Sequence, residues 1–154
     1  MDERTKPAYR PRPDLHVAAE GEFKGWRTWT GDNFETNNGP FWHRVNEDGS
    51  VSCAFRVEKK HLNGASNVHG GAFMSFADYC LFAIASPILE GPGVTMSFGC
   101  EFLDAACEGE LIEGSGEVTR AGGSIIFLRG VLKSGERPLF TFSGTIKRIK
   151  RRAA

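Results

Sequence analysis

One long apolar segment that contains a single carboxylate constrains the fold of this chain more than any other feature. Between residues 72 and 89, apolar side chains recur at steps of three and four, and most of the other positions are apolar too. A helix that is apolar on all sides is stable only when other structure encloses it. The segment barely reaches the length of a membrane span and is interrupted by Asp78 and Pro87. We therefore expect a buried helix that ends at the Gly91-Pro92-Gly93 turn.

The segments on both sides of this helix have the pattern of β-strands. Residues 42–46 and 51–59 flank a Glu-Asp-Gly-Ser turn, and apolar and polar side chains alternate in the second segment. After the helix, turns that contain glycine separate four more predicted strands. These strands span residues 94–103, 110–119, 124–133 and 138–149. Because the connections between them are short, we expect the four strands to form an antiparallel meander.

The order of the elements predicts an α+β fold. Two strands, one long apolar helix and four further strands suit a curved antiparallel sheet wrapped around one central helix. A length of 154 residues suits one domain. We expect an N-terminal arm and aromatic-rich extension over residues 1–38, the folded domain over 39–150, and a basic tail over 151–154. The aromatic side chains of residues 23–42 indicate either a cover for a ligand pocket or a hydrophobic flap on the core.

Composition argues against several classes of protein. Lys plus Arg total 19 and Asp plus Glu total 19, so no net charge attracts nucleic acid or an anionic membrane, and neither is an expected partner. The four cysteines show no C-x-x-C spacing and stand within apolar segments, so we expect reduced core thiols and no metal site. They are Cys53, Cys80, Cys100 and Cys107. The first residues are charged and rich in proline, without an apolar stretch, which predicts a cytoplasmic protein.

Two features of the apolar segment could carry chemistry. The triplet His69-Gly70-Gly71 directly precedes it, and glycines at a helix start leave backbone N–H groups uncovered at the positive end of the helix dipole. Such a position can stabilise a carbonyl oxygen that becomes negative, and it equally suits a tight turn. Asp78 is the only charged residue of residues 72–89. Because an unpaired buried carboxylate is costly, Asp78 indicates a polar structural contact or a role in acid-base or nucleophilic chemistry.

Taken together, these motifs resemble one known family. Asn63, then His69-Gly70-Gly71, then Asp78, then Gly91-Pro92-Gly93-Val94-Thr95 are similar to the hot dog-fold acyl-CoA thioesterases of the phenylacetate-pathway (PaaI-like) type. The resemblance covers residues 39–149. It implies the hot dog fold, in which chains pair through their sheets as homodimers and the pairs assemble into tetramers. It also implies hydrolysis of an acyl-CoA thioester to a free acid and CoA, with no separate cofactor and no metal.

The resemblance also implies roles for individual residues. The Gly70 N–H would polarise the thioester carbonyl, and Asn63 would position the carbonyl or the attacking water. Asp78 would attack the carbonyl or act as a general base for water. Thr95 would orient that water. The residues expected to bind substrate are His69, which also fixes the turn, and Gly71, Arg120, Gly122, Gly123 and Ser124.

The turn at residues 120–124 would meet the CoA tail. Relatives often carry a second basic residue where this chain has Gly123. Arg120 and the basic run at residues 147–152 could supply the missing positive charge for a phosphate contact.

The spacing of Gly70 and Asp78 adds a geometric constraint. Eight residues on one helix correspond to about 12 Å along its axis, too far for one thioester carbonyl to contact both. Both can act on one carbon if the carboxylate comes from a neighbouring chain whose helix runs antiparallel, so we expect a site shared across a dimer. Two alternatives on the same fold are an acyl-CoA binding or sensing module without catalysis and an enoyl-CoA hydratase.

Overall fold

The computed structural model describes residues 14–149, which form an eight-stranded antiparallel sheet that curves around one long helix. The predicted α+β architecture is confirmed. The predictions for residues 1–13 and for the basic tail at 151–154 lie outside the described residues. The strands are β1 (Leu15–Val17), β2 (Arg27–Trp29), β3 (Trp42–Val45), β4 (Val51–Arg56), β5 (Gly93–Phe102), β6 (Leu111–Ala121), β7 (Ile125–Ser134) and β8 (Arg137–Arg148). The helices are α1 (Asn33–Asn38) and α2 (Gly70–Ala85), with one 3-10 turn at Lys59–His61.

The strands are arranged in the order β1-β2-β3-β4-β6-β7-β8-β5. Strands β6, β7 and β8 form a meander joined by short turns, as predicted. The prediction that β5 belongs to the same meander is wrong, because β5 pairs with β8 at the edge of the sheet and β4 pairs with β6. The physical reason is that residues 103–110 are too long for a tight hairpin turn. They connect β5, which lies next to β8, to β6, which lies on the other side of β7.

The N-terminal extension contributes to the same sheet. β1 and β2 continue the sheet beyond β3, and α1 follows them. The Trp29 ring stacks on His43 with centroids 4.5 Å apart and lies 4.9 Å from the ring of Tyr79. Part of the aromatic stretch therefore covers the core, as a hydrophobic flap would. The division of the chain at residue 38 stays a prediction.

The core lies between α2 and the concave face of the sheet. Its centre is a cluster of rings in which Phe76 contacts Phe55 at 4.7 Å and Phe41 at 5.2 Å between centroids. Tilted and edge-to-face ring pairs of this kind contribute about 0.5–1.5 kcal/mol each beyond their buried area. Tyr79 joins the cluster from the next turn of α2, at 5.6 Å from Phe41. These contacts fix both the height and the rotation of α2 above the sheet.

Helix α2 is shorter than the sequence pattern suggested. It begins at Gly70 and ends at Ala85, whereas we expected it to continue to residue 89. Pro87 explains the early end, because it has no N–H to donate to a carbonyl one turn before it. The chain turns instead, and the Ile88 and Leu89 N–H groups both donate to the Ala85 carbonyl. No helix among residues 14–149 is both long and apolar enough to cross a membrane.

One stripe of α2 is not covered by its own chain. Met74 is 43% exposed, and Gly71, Ser75, Asp78 and Phe82 are only partly buried. These residues follow one another at steps of one, three or four, so they lie along one side of the helix. The prediction that other structure encloses the helix therefore holds, within this one chain, only for the remaining sides.

The cysteines differ in their surroundings. Cys53 and Cys80 are free thiols buried in the core, as expected. Cys100 is partly buried, and Cys107 is exposed at the start of the turn before β6. The prediction of a core position is therefore wrong for Cys107. The neighbouring Ala106 is buried in the core, but Cys107 lies in the connection between β5 and β6 and faces outward.

The close approach of α2 to the sheet depends on Gly114, where a Cβ would lie 2.6 Å from the Cys80 sulfur. We expect Gly114→Ala to lower the free energy of unfolding by about 1–3 kcal/mol, because the buried thiol and the helix must move. Urea denaturation measures this change. Gly64→Ala is the control, since a Cβ there meets nothing within 4 Å. Equal stability of the two variants would contradict this account of the packing.

Candidate functional site

The fold brings Asp78 and Thr95 into direct contact. Asp78 lies in the middle of α2, and Thr95 lies near the start of the edge strand β5. The Thr95 hydroxyl donates a hydrogen bond of 2.6 Å to Oδ1 of Asp78. Such short bonds are typical of a hydroxyl that donates to a charged carboxylate. Among residues 14–149, no group donates a hydrogen bond to the other carboxylate oxygen, so it is available to a ligand or water.

Burial is the main influence on the charge of Asp78. It raises the pKa of this carboxyl above the ordinary value, since a charged group is less stable when water is removed from it. The hydrogen bond from Thr95 acts in the opposite direction, and the nearby carboxylate of Asp32 raises the pKa further. A carboxylate with a raised pKa is a stronger base than an ordinary aspartate, which suits proton transfer.

The start of α2 presents an unoccupied backbone donor. Nδ1 of His69 accepts a hydrogen bond of 2.8 Å from the Gly71 N–H, so His69 caps the helix. Its ring nitrogen is then an acceptor and carries no proton at this position. In the described part of the chain, nothing accepts a hydrogen bond from the Gly70 N–H. A Cβ at Gly70 would lie 3.0 Å from the ring of Phe102, so only a small residue fits here without moving that ring.

Asn63 organises the loop that precedes this helix. Its side-chain oxygen accepts hydrogen bonds from the N–H groups of Ala65 and Asn67, at 2.9 and 3.2 Å. Two backbone bonds to one amide oxygen hold the loop in a tight turn. The side chain is exposed, and its NH₂ group faces away from these two bonds. Asn63 can therefore hold the loop and still donate to a ligand.

The turn predicted to meet the CoA tail joins β6 to β7. The Gly122 N–H donates to the Ile125 carbonyl, and the Arg148 N–H donates to the Ser124 carbonyl, both at 2.8 Å. Arg120 and Gly123 are exposed. The last residues of β8 therefore lie beside this turn, and with them two further basic side chains, Lys147 and Arg148.

The strand register shows which site residues share one end of the sheet. Thr95 pairs with Ile146, Ile146 with Ile126, and Ile126 with Ala121. These four paired residues lie side by side across β5, β8, β7 and β6, so Thr95 is at the same end of the sheet as the turn at residues 120–124. The first set of predicted site residues lies at this end: Asp78, Thr95, Arg120, Gly122, Gly123 and Ser124.

The second set lies at the opposite end of β5. Gly70 stands beside Phe102, which is seven residues from Thr95 along the strand, or roughly 23 Å. This set comprises Asn63, His69, Gly70 and Gly71. A single chain therefore does not bring the Gly70 N–H and the Asp78 carboxylate to one reacting atom.

Sequence reasoning missed Asp32, the residue just before α1 whose carboxylate raises the pKa of Asp78. Asp32 caps α1 by accepting a hydrogen bond of 3.0 Å from the Glu35 N–H, and its carboxylate affects the pKa of Asp78. The spacing of Asp32 and Glu35 is that of a helix-start motif and could have revealed the helix. Its position against α2 could not be read from the sequence, because tertiary packing decides it.

Comparison with known proteins identifies the family. The family model described as "Thioesterase superfamily" matches residues 65–141. A Pseudomonas aeruginosa protein that bears the name "Putative esterase PA0474" is 32% identical over 108 residues, which cover 69% of this chain and 81% of that protein. The chain belongs to the thioesterase superfamily. The motifs from Asn63 to Thr95 had indicated the same hot dog family, and this prediction is confirmed.

Solved structures of the superfamily have the same fold. The PaaI protein of the Escherichia coli phenylacetic acid degradation operon superposes with a TM-score of 0.70, at 18% identity over 80% of this chain and 89% of that one. A hypothetical thioesterase from Streptococcus pneumoniae, solved with coenzyme A, gives a TM-score of 0.66, at 20% identity over 73% of this chain and 88% of that one. These likenesses confirm the hot dog fold.

The raised pKa of Asp78 predicts how the stability of the fold depends on pH. Because the folded pKa lies above the ordinary value of 3.8, the folded form binds more protons than the unfolded form between these two values. Stability should therefore fall as the pH rises through that window. We expect Asp78→Asn, which keeps an acceptor for Thr95, to melt at a higher temperature than the wild type at about pH 7 and at the same temperature below about pH 3.

Thermal unfolding over a series of pH values measures this difference. Asp48→Asn is the control, and its effect on the melting temperature near neutral pH should have the opposite sign. Hydrogen bonds from Ser50 lower the pKa of the exposed Asp48 carboxyl. That variant should lose stability near neutral pH. An Asp78→Asn variant that is less stable than the wild type near neutral pH would mean that Asp78 has a stabilising charged partner.

Proposed function

We propose that this protein hydrolyses acyl-CoA thioesters to a free acid and CoA. One observation carries the proposal: in a member of the thioesterase superfamily, the Thr95 hydroxyl is bonded to the Asp78 carboxylate, whose pKa burial raises, on the uncovered stripe of α2. A purely structural polar contact would not need a basic carboxylate on an open side of the helix. That a related fold was solved with coenzyme A supports CoA as the acyl carrier.

Asp78 acts on the thioester carbonyl in one of two ways. As a general base, it takes a proton from water while the water oxygen bonds to the carbonyl carbon. The carbon–sulfur bond then breaks, and the CoA thiolate leaves and takes up that proton. As a nucleophile, the carboxylate bonds to the same carbon and expels the thiolate, and water then hydrolyses the acyl anhydride. In both cases Thr95 holds one carboxylate oxygen and orients the other.

The Gly70 N–H stabilises the negative oxygen that develops on the carbonyl. A backbone donor at the start of α2 has the helix dipole behind it and needs no rearrangement during the reaction. Since Gly70 and Asp78 lie in separate sets within one chain, we propose that each active site combines Asn63 and Gly70 of one chain with Asp78 and Thr95 of its partner. Antiparallel pairing of two α2 helices gives two equivalent sites per dimer.

The edge strand beside this stripe favours such a dimer. No described strand pairs with the outer side of β5, and an open edge is a template for pairing with another chain. Val94, Met96 and Phe102 of β5 are 45%, 55% and 55% exposed, and Met74 lies on the open stripe of α2. Exposed apolar side chains that adjoin an open edge are typical of an interface between chains. We propose a homodimer and, by resemblance to the family, a dimer of dimers.

Positive charge at the Thr95 end of the sheet suits the phosphates of CoA. Arg120, Lys147 and Arg148 lie at this end, beside the turn at residues 120–124. Basic side chains and backbone donors in a turn are the usual partners of phosphate. An enoyl-CoA hydratase is a weaker alternative, because Nδ1 of His69 is already bonded to the Gly71 N–H and is not free to act as a base.

Release of free thiol from a panel of acyl-CoAs tests the activity. We expect Asp78→Asn to reduce kcat by about a thousandfold and to leave CoA binding nearly unchanged, because the side chain keeps its size but loses its negative charge. Thr95→Ala should reduce kcat by about tenfold, since it loses only an orienting contact.

Two results would overturn this assignment. Retained turnover in Asp78→Asn would place the reaction elsewhere. Binding of acyl-CoA without any thiol release by the wild type would favour the binding or sensing module.

Mixed dimers test whether the site is shared. Gly70→Pro removes the N–H donor, and proline suits the first residue of a helix, where Gly70 stands. Asp78→Asn and Gly70→Pro should each be nearly inactive alone. When the two are unfolded and refolded together, half of the dimers should be mixed and each should contain one complete site, so about a quarter of wild-type activity should return.

Gly70→Ala is the matched control, because it also adds a Cβ near Phe102 but keeps the N–H. Gly70→Ala should retain most activity if the reaction depends on the N–H donor of residue 70 and not on the absence of a side chain there. Mass spectrometry verifies that mixed dimers form, and sedimentation verifies that each variant is an oligomer of even number. Inactive mixed dimers of folded variants would contradict a shared site.

A further inference from the structure

The start of α2 is attached to the segment that connects β5 to β6. Residues 103–110 form this segment, which we call the β5–β6 connection. The Val68 N–H, two residues before Gly70, donates to the carbonyl of Ala106 in the connection, at 2.8 Å. Val68 is 5% exposed and Ala106 is fully buried, so water does not compete for this bond. The position of the β5–β6 connection therefore helps to fix where α2 begins.

The β5–β6 connection has no strand or helix of its own, and one side chain holds it at several points. Arg137 stands at the start of β8. Its guanidinium donates to the Asp104 carboxylate at 3.1 Å and to the Ala105 carbonyl. It also donates to the Glu110 carboxylate, so its partners lie on both sides of Ala106 along the chain. A planar guanidinium with several fixed donors suits such contacts better than the single ammonium group of a lysine.

Glu110 extends this network to the backbone of the connection. One of its carboxylate oxygens accepts from the Cys107 N–H at 2.6 Å. The other, which Arg137 contacts, accepts from the Ser134 hydroxyl at 2.9 Å. An isolated pair of exposed charges contributes little to stability. Here the charged groups also bind the backbone on either side of Ala106, so the network restricts the backbone of the connection.

Arg137 thus acts on the start of α2 through the backbone. The path runs from its guanidinium to the Ala105 carbonyl, along the chain to Ala106, and across one hydrogen bond to Val68. All of these contacts lie within one chain. Gly70 follows Val68 by two residues, and its N–H is the proposed donor to the thioester oxygen. Such a donor stabilises developing charge only when it is held in place, and a displacement of about 1 Å can cost roughly a hundredfold in rate.

We infer that Arg137 is a positioning residue for the Gly70 N–H and serves the half of the active site that Gly70 supplies. The inference rests on the proposed function, because it takes this N–H as the donor to the thioester carbonyl. Arg137 takes no part in the chemistry. Its loss should therefore reduce turnover more than it weakens substrate binding.

Steady-state kinetics of Arg137→Ala measure this contribution. We expect kcat to fall by about tenfold and KM to change by less than about twofold, because the donor is displaced and not removed. Arg137→Lys keeps the charge without the planar fork and should lose about threefold in kcat, and it serves in every comparison if Arg137→Ala does not fold. Arg129→Ala is the matched control and should leave kcat unchanged, since Arg129 forms an exposed ion pair with Glu117, opposite it on β6.

Hydrogen exchange locates the effect without any measurement of activity. In Arg137→Ala, the backbone N–H groups of residues 66–70 should exchange faster than in the wild type, because the acceptor of the Val68 N–H is no longer held in place. Those of residues 93–98, around Thr95, should exchange at the wild-type rate. Arg129→Ala should change neither segment.

Mixed dimers assign Arg137 to one half of the site. Refolding Arg137→Ala with Asp78→Asn should give one intact site per mixed dimer, with the donor from one chain and the carboxylate from the other, and return about a quarter of wild-type activity. Refolding Arg137→Ala with Gly70→Pro should return only about a twentieth, because both changes then affect the donor and no site is intact. A general loss of structure in Arg137→Ala would give the lower value in both mixtures.

The outcomes separate this inference from the proposed function. If the wild type releases no thiol, the proposed function fails, and the exchange of residues 66–70 still decides whether Arg137 holds the start of α2. If Gly70→Pro and Asp78→Asn do not complement each other, the shared site fails, and the kinetics and exchange of Arg137→Ala decide. The inference is overturned by unchanged exchange at residues 66–70 or by a kcat equal to that of Arg129→Ala. Equal activity of the two mixtures that contain Arg137→Ala also overturns it when Gly70→Pro and Asp78→Asn do complement each other.

Discussion

Helix α2 is too apolar to stand in water, and the rest of the structure is arranged to bury it. Strands β4 to β8 contact one side of α2, and aromatic side chains such as Phe41, Phe55 and Phe76 fill the space between. Gly114 permits the close approach, because no Cβ fits between β6 and the Cys80 thiol. A single sheet can wrap only part of a helix, however, and one stripe that contains Met74 and Asp78 stays uncovered.

On the uncovered stripe of α2, the charge of Asp78 that the proposed chemistry needs lowers the stability of the fold. Burial raises the pKa of the Asp78 carboxyl, so its negative charge opposes folding near neutral pH. Thr95 compensates in part through one short hydrogen bond. Retention of a group that weakens the fold is explained most directly by a need for its basicity. The same stripe, next to the open edge of β5, is the surface through which a partner chain would complete the site.

The N-terminal extension has two different relations to this core. Trp29 packs on His43 and Tyr79 and so belongs to the buried structure. Helix α1 contributes nothing buried, contacts α2, and is held at its end by hydrogen bonds from Lys60 and His61. Of the two interpretations of the aromatic stretch, a flap on the core describes Trp29, and a cover for a ligand pocket stays a prediction.

Much of this protein could be predicted from local patterns alone. The apolar period of α2, the alternation in its strands and the motif from Asn63 to Thr95 are short-range features, and they sufficed for the α+β class, the family and the candidate residues. The place of β5 beside β8, the exposure of Cys107 and the packing of α1 on α2 depend on contacts between distant segments. The separation of Asp78 and Gly70 was predictable from their spacing along one helix, whereas strand register decides that the turn at residues 120–124 lies at the Thr95 end of the sheet. Local sequence determines which residues of a helix or strand lie on the same face. Tertiary packing decides which faces contact each other, because several segments could cover the same limited surface of the helix and the sheet.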